Sequence, residues 1–144
     1  MLVFDTNVLV YAVDQDSPFH GPCRNSVLQA RDDPSPAFLT WNVCYEFLRV
    51  TTHARASLSP WTPGGAWDFL EALLDSPGFD LLAPTQRHAA VLARTLTELP
   101  DIRGNLIHDL HTAVLMREHG ITRICTRDTD FHRFPFLEVV DPLR

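Results

Sequence analysis

Five short apolar segments alternate along the chain with stretches in which apolar residues recur at helical spacing. The apolar segments contain few polar positions, which is typical of strands that are covered on both faces of a parallel sheet. Strands separated by helices in this way predict a three-layer α/β/α fold with a central parallel sheet. The predicted strands are Leu2–Asp5, Ala37–Trp41, Phe79–Ala83, Thr122–Thr126 and Leu137–Val140.

Four of the predicted helices carry start or stop signals in the sequence. Ser17 and Thr62 each precede a proline, as expected of a capping hydroxyl followed by the first helical residue. Thr85 is predicted to cap a third helix that ends at Pro100, and a fourth helix is predicted to finish at Gly120. The predicted buried faces are Phe19, Cys23, Val27 and Ala30; Trp67, Leu70, Leu73 and Leu74; Ala89, Leu92, Leu96 and Leu99; and Leu106, Leu110, Ala113 and Val114.

Length and composition point to one globular domain over residues 1–144. With 45% hydrophobic residues the chain is too apolar for a disordered protein and needs no disulfides to build a core. Cys23, Cys44 and Cys125 lack paired spacing and are expected to be reduced core thiols. The N-terminus lacks a basic signal-peptide region, and the longest apolar run, Val8–Val13, is too short to span a bilayer. We therefore expect a soluble, cytoplasmic protein that makes no membrane contact.

The charged residues exclude several classes of enzyme. The net charge is −6, and all 12 basic residues are arginines. Without a lysine the chain cannot form a Walker-A phosphate loop, a Schiff base or a Ser-x-x-Lys hydrolase site. Receiver-like phosphoacceptor domains and haloacid-dehalogenase-like phosphatases also require a lysine that is absent here, and the glycines form no nucleotide-binding turn. The acidic total argues against indiscriminate nucleic-acid binding, but the planar guanidinium groups still suit local recognition of phosphate.

Acidic residues lie where four separate segments are expected to meet. Asp5 ends the first predicted strand, Glu46 lies one turn into the helix after the second, and Asp109 is near the start of the helix before the fourth. Asp128 and Asp130 directly follow the fourth strand. Since ligands of open parallel sheets bind beyond the carboxyl ends of the strands, these five side chains are predicted to share one edge of the sheet.

Carboxylates that converge without a lysine raise one another's pKa, and a hard divalent cation such as Mg²⁺ relieves this cost. Each residue also has a simpler explanation: Asp5 as a helix cap, Glu46 as a solvated helix residue, and Asp109 as an acid favoured by the helix dipole. Asp128 and Asp130 would then form only a turn. Three roles are open to Thr126: to bond Asp128, to orient a water or to be an ordinary strand residue.

Zinc is a weaker alternative, because His108 and His111 share a helix face but no second ligand pair is present.

Four short segments of this chain resemble the PIN-domain ribonucleases, and in particular the VapC-type toxins of bacterial toxin–antitoxin pairs. They are Phe4–Tyr11, Trp41–Phe47, His108–Ala113 and Thr126–Phe131, which follow the family's order at full domain length. The resemblance implies a sheet in the order 3-2-1-4-5, RNA cleavage that depends on Mg²⁺ or Mn²⁺, and a homodimer inhibited by a cognate antitoxin. An alternative is a PIN-like scaffold that binds protein and has lost catalysis.

The resemblance and the acidic pattern together assign roles to individual residues. The catalytic residues are expected to be Asp5, Glu46, Asp109 and Asp128, with Glu46 accepting hydrogen bonds from metal-bound water. The metal is expected to be held by Asp5, Asp109 and Asp128, with Asp130 either a ligand or a support for one.

Two kinds of partner follow from the same reasoning. Arginines near the acids are candidates for contacts with the RNA backbone, and they are Arg49, Arg103, Arg127 and Arg133. The antitoxin is expected to place an arginine against the acidic cluster, in competition with metal. Its remaining contacts are expected to be apolar, made by a helix in a groove formed by the N-terminal helices.

Overall fold

The sheet of the computed structural model, which describes residues 1–54 and 59–144, is parallel throughout. Its five strands lie in the order β3-β2-β1-β4-β5, which confirms the order implied by the resemblance. Each strand falls within one residue of its predicted bounds at either end. The strands are β1 Leu2–Phe4, β2 Ala37–Thr40, β3 Phe79–Leu82, β4 Arg123–Cys125 and β5 Glu138–Val140.

Helices cover both faces of this sheet, as the three-layer prediction required. Successive residues of β1 point to opposite faces, so that Phe4 packs with α1–α4 and Val3 packs with α5 and α6. Burial on both faces explains why the strands read as continuous apolar segments. The helices among the described residues are α1 Thr6–Val13, α2 His20–Asp32, α3 Trp41–Thr52, α4 Pro63–Leu74, α5 His88–Glu98 and α6 Leu106–Glu118, and a 3₁₀ helix spans Thr129–Arg133.

Two of the three predicted helix starts are wrong. Thr62 caps α4 as predicted, with its Oγ1 accepting from the backbone N–H of Gly65 at 3.1 Å. The hydroxyl of Ser17 instead accepts from the N–H of Phe19, and α2 begins only at His20. The hydroxyl of Thr85 likewise closes a turn before α5 begins. Both hydroxyls bond the N–H two residues on, which makes a tight turn ahead of the helix rather than a cap.

The predicted buried face of α5 is also partly wrong. Ala89 and Leu96 are exposed, whereas Leu92 and Leu99 pack against the core together with Val91. Thr95 is fully buried on this face because its hydroxyl is satisfied by the carbonyl of Val91 at 2.7 Å. A buried threonine therefore replaces the leucine that hydrophobic periodicity alone would select.

The remaining expectations for the core hold. Leu110, Ala113 and Val114 of α6 are buried as predicted, and Cys23, Cys44 and Cys125 are buried free thiols. The apolar run that includes Val8–Val13 forms most of α1. Among the described residues, the helices are all too short or too polar to cross a membrane.

Candidate active site

The topology delivers the predicted acids to the carboxyl edge of the sheet. Asp5 follows β1 and caps α1 through a 2.8 Å hydrogen bond from the N–H of Thr6. Asp109 lies in the first turn of α6, and Asp128 follows β4 and caps the 3₁₀ helix by accepting from the N–H of Asp130 at 2.8 Å. The capping and turn functions considered for Asp5 and Asp128 are therefore real, and they fix both carboxylates at this edge.

Three of these carboxylates form a compact cluster. One oxygen each from Asp109, Asp128 and Asp130 lies within 4.8 Å of the other two. Asp5 lies beside this group and interacts electrostatically with Asp109 and Asp128. The cluster offers only carboxylate oxygens as ligands. Mg²⁺ and Mn²⁺ prefer oxygen ligands, whereas zinc sites in proteins usually include cysteine or histidine.

Burial and mutual repulsion raise the pKa values of two acids at the site. Burial, followed by the charges of Asp128, Asp5 and Asp130, raises the pKa of Asp109 to about 7. Burial also raises the pKa of Asp5, although the hydrogen bond from Thr126 opposes part of this effect. Burial is the largest cause of both shifts, and no arginine of the described part of the chain is among their causes.

Glu46 is in a different electrostatic environment from the other acids. Arg49, one turn further along α3, donates to both of its oxygens at 3.0 and 2.6 Å. These hydrogen bonds lower the pKa of Glu46 below its ordinary value, so its carboxylate is charged at neutral pH. Glu46 is therefore suited to accept hydrogen bonds rather than to release a proton.

Thr126 links the acids to one another, a function that the sequence left open. Its hydroxyl is fully buried and donates to Oδ2 of Asp5 at 2.7 Å. The Oγ1 atom of Thr126 also accepts from the backbone N–H of Asp128 at 2.9 Å and from the side-chain amide of Asn7 at 3.0 Å. Asn7 in turn bonds Asp5 at 2.9 Å and the N–H of Arg127 at 3.1 Å. This network fixes the loop after β4 to the loop after β1.

A cleft of about 840 Å³ opens above the cluster, between α1 and α3. Its walls include all five predicted acids, together with the apolar side chains of Val10 and Val50. Asn42 and Thr112, which sequence reasoning missed, also line the cleft and bond each other at 2.8 Å. The Oδ1 atom of Asn42 is buried without a hydrogen-bond partner among the described residues. Asn42 lies within the resembling segment Trp41–Phe47, but the sequence assigned no role to it, because its contact with Thr112 depends on how α3 packs against α6.

The two histidines of the zinc alternative diverge. His108 lines the cleft, whereas His111 packs edge-on against His88, with ring centroids 5.9 Å apart. His88 contacts the buried carboxylate of Glu118 at 2.5 Å. Burial raises the pKa of Glu118, but hydrogen bonds from Thr85 and His88 outweigh this and hold it below its ordinary value. His111 therefore belongs to a structural pair away from the cleft, and the geometry gives zinc no support.

The four candidate arginines are dispersed. Arg49 lies on the cleft wall. Arg127 stacks over Phe19 at 3.9 Å, outside the described walls of the cleft. Arg103 is exposed and lies 3.6 Å from Asp101, and Arg133 is also exposed.

Comparison with known proteins places this geometry in context. A sequence profile of the PIN domain family matches residues 2–137. Ribonuclease VapC48 of Mycobacterium tuberculosis is 33% identical over 139 residues, covering 96% of this chain and 95% of that protein. Ribonuclease VapC43 of the same species is 34% identical over 143 residues, covering 99% and 96% respectively.

Solved structures show the same fold at lower sequence identity. The crystal structure of VapC20 from Mycobacterium tuberculosis, a toxin that cleaves the sarcin-ricin loop, matches with a TM-score of 0.66 and 19% identity. The match covers 98% of this chain and all of that one. VapBC2 from Rickettsia felis, solved with a DNA fragment from its promoter, matches with a TM-score of 0.66 and 19% identity, covering 96% of each chain.

Proposed function

The chain belongs to the PIN domain family, and from that premise we propose that it is a divalent-metal-dependent ribonuclease acting as the toxin of a toxin–antitoxin pair. The observation that carries the proposal is the cluster of Asp109, Asp128 and Asp130 beside Asp5, at the carboxyl edge of a parallel sheet. The relatives at 33% and 34% identity are named ribonucleases and match this chain over nearly its whole length.

The cluster suits Mg²⁺ or Mn²⁺ for a chemical reason. Its donors are all carboxylate oxygens. The raised pKa of Asp109 reflects burial first and then the negative charges of Asp128, Asp5 and Asp130. Asp109, Asp128 and Asp130 would hold the ion, with Asp5 coordinating directly or through water. A bound ion would lower the pKa of a coordinated water and screen the charge at phosphorus during in-line displacement.

The remaining residues prepare the site for this chemistry. Thr126 and Asn7 hold Oδ2 of Asp5 in one orientation through bonds of 2.7 and 2.9 Å. Arg49 keeps Glu46 ionised, so that Glu46 can accept hydrogen bonds from water at the site. Contacts of Arg49, Arg103, Arg127 and Arg133 with RNA phosphate stay predictions. A homodimer likewise stays a prediction.

The proposal is tested by measuring metal binding and RNA cleavage on the same preparation. We expect Mn²⁺ to bind in isothermal titration calorimetry, and total cellular RNA to be cleaved in the presence of Mg²⁺ or Mn²⁺ but not with EDTA. Cleavage that persists in EDTA would contradict metal dependence. Metal binding without cleavage of any RNA would favour the alternative, a catalytically silent scaffold.

We further propose that the antitoxin inhibits by inserting an arginine at the acidic cluster. The cleft continues from the acids between α1 and α3, where Val10, Tyr11 and Val50 offer an apolar wall for a helical segment. A guanidinium group pairs bidentately with carboxylates and would replace the charge that metal supplies. The chain's net charge of −6 is consistent with attraction of a basic segment.

Competition between metal and antitoxin is the expected consequence. The affinity for the antitoxin, taken as the small protein expected to be encoded immediately upstream, should fall as the Mn²⁺ concentration rises through saturation. In the Asp109→Asn variant, which binds metal poorly, this dependence should largely disappear. Surface plasmon resonance across a Mn²⁺ series measures both. An affinity that stays flat in the wild-type protein would show that the antitoxin blocks the enzyme elsewhere.

A further inference from the structure

A second cavity, of about 330 Å³, lies next to the cleft and shares Asp128 with it. Three arginines line this cavity, which we call the arginine pocket: Arg123 at the start of β4, Arg127 just after β4, and Arg144 at the last position. Arg123 and Arg127 are four residues apart, whereas Arg144 is remote in sequence and is brought near them because β5 pairs with β4. The volume is within the range of about 300–1,000 Å³ typical of small-ligand sites.

The guanidinium groups of the arginine pocket have carboxylates nearby but at distances longer than ordinary hydrogen bonds. Arg123 lies 3.6 Å from Glu138, while Arg127 and Arg144 lie 3.4 and 3.8 Å from Asp141. These separations exceed the roughly 2.7–3.2 Å of an ordinary N–H···O hydrogen bond. The Nε atom of Arg127 is buried and has no hydrogen-bond partner among the described residues.

Three arginines elsewhere on the described surface have closer partners, although Arg103 lies 3.6 Å from Asp101. Arg31 and Arg94 donate to their neighbouring carboxylates at 2.9 Å, and Arg49 donates to Glu46 at 2.6 Å. The arginine pocket therefore contains guanidinium donors without close partners, together with an equal number of carboxylates. Its own acids, Asp128, Glu138 and Asp141, are too far away or wrongly oriented to use these donors fully.

The charge of the neighbouring cleft explains why such a site is needed. Six carboxylates line the cleft, and Arg49, its basic residue among the described walls, is already bonded to Glu46. A polyanionic strand with one phosphate at the acids must find cations for the adjoining phosphates. Guanidinium groups bind phosphate bidentately, and their binding energy comes largely from charge neutralisation.

We propose that the arginine pocket binds a backbone phosphate of the RNA strand, one or more nucleotides away from the linkage held at the acidic cluster. The proposal rests on the ribonuclease function proposed above and adds a substrate subsite to it. Arg123 and Arg144 supply the exposed donors, while Arg127 is held at the pocket wall by stacking over Phe19. Sequence position gave no indication of Arg123 or Arg144, because neither is adjacent to an acidic motif.

The test compares RNA binding by the double variant Arg123→Gln/Arg144→Gln with that of the wild-type protein. The probe is a fluorescein-labelled single-stranded RNA of about 12 nucleotides, followed by fluorescence anisotropy with Ca²⁺ in place of Mg²⁺ to limit cleavage. We expect the affinity to fall about ten-fold and the salt slope to become shallower by about 1, since each phosphate contact to a single strand contributes roughly 0.7. The Arg123→Lys/Arg144→Lys variant should keep most of the slope.

Matched controls separate the subsite from a general loss of charge. The Arg31→Gln/Arg94→Gln variant removes two exposed arginines from other surfaces and should bind RNA within about two-fold of wild type. A dinucleotide substrate, too short to reach the pocket, should be hydrolysed by the double variant at the wild-type rate. The subsite would be overturned if both Gln variants lost RNA affinity equally, or if the salt dependence of RNA binding were unchanged in Arg123→Gln/Arg144→Gln. Cleavage of RNA by the wild-type protein would still support the ribonuclease function in either case. A wild-type protein that neither binds nor cleaves RNA would overturn both.

Discussion

Replacing Asp109 by Asn should lower the rate of RNA cleavage by about a hundred-fold or more while leaving the fold intact, as expected when a preorganised charge at a catalytic centre is lost. One carboxylate oxygen of Asp109 lies within 4.8 Å of oxygens of Asp128 and Asp130. Within residues 1–54 and 59–144, the Asp109 side chain makes no hydrogen bond that an amide would break. Affinity for Mn²⁺ should fall in parallel, measured by calorimetry on both proteins. Asp5→Asn is expected to cause a comparable loss of cleavage.

The same substitution should stabilise the metal-free protein. The pKa of Asp109 is about 7 in the folded state, above its ordinary value of 3.8, so ionising this group opposes folding. The contribution of Asp109 to the free energy of unfolding of the wild-type protein therefore falls as the pH rises from about 4 to about 7. Above about pH 7 this contribution stays at its lower value, because Asp109 is then ionised in both the folded and the unfolded state. Thermal denaturation in EDTA at pH 8 should therefore show Asp109→Asn to be more stable, by about 1–3 kcal/mol after allowance for solvent screening.

Asp101→Asn is the matched control for both measurements. Asp101 is exposed, lies 3.6 Å from Arg103 and is outside the cleft. Its substitution should change neither cleavage nor metal affinity and should leave stability within about 0.5 kcal/mol. Full cleavage activity in a folded Asp109→Asn protein would remove this residue from the proposed metal site.

Thr126→Val should destabilise the protein by about 2–3 kcal/mol and also reduce cleavage by about ten-fold or more, although Thr126 is not expected to touch substrate. Valine keeps the shape of the side chain but removes the hydroxyl that serves Asp5, Asn7 and the N–H of Asp128. Each of these half-buried groups then loses a hydrogen bond. The loop carrying Asp128 is no longer tied to Asp5, so the carboxylates lose their fixed spacing.

Two further substitutions distinguish this function from simple burial of a threonine. Thr126→Ser keeps the hydroxyl and should cost about 1 kcal/mol for the lost methyl group, with most of the cleavage activity retained. Thr51→Val should be nearly neutral, because the buried hydroxyl of Thr51 only bonds the carbonyl of Phe47 within α3. Denaturant unfolding and initial cleavage rates give both quantities. Equal behaviour of the Val and Ser variants at position 126 would show that the hydroxyl does not organise the site.

The sequence by itself determined the strands, the layers and the edge at which the acids meet. Apolar segments such as Ala37–Thr40 identify buried strands because both of their faces are covered. The carboxyl ends of parallel strands must lie at one edge of the sheet. Asp5 and Asp128 could therefore be placed together from their positions alone. The order of the strands did not follow from this pattern, and it came from the resemblance of four short motifs to a known family.

Only the tertiary structure decided which side chains contact one another at that edge. The hydrogen bond from Thr126 to Asp5 exists because the loop after β4 meets the loop after β1. The hydrogen bond from Asn42 to Thr112 exists because α3 packs against α6. The start of α2 at His20 depended on which N–H the hydroxyl of Ser17 bonds, and both outcomes fit the same sequence. Arg123 and Arg144 share a pocket because of the register between β4 and β5. Sequence spacing fixes which edge or face a residue occupies, whereas hydrogen-bond partners and unused donors depend on side-chain directions that packing sets.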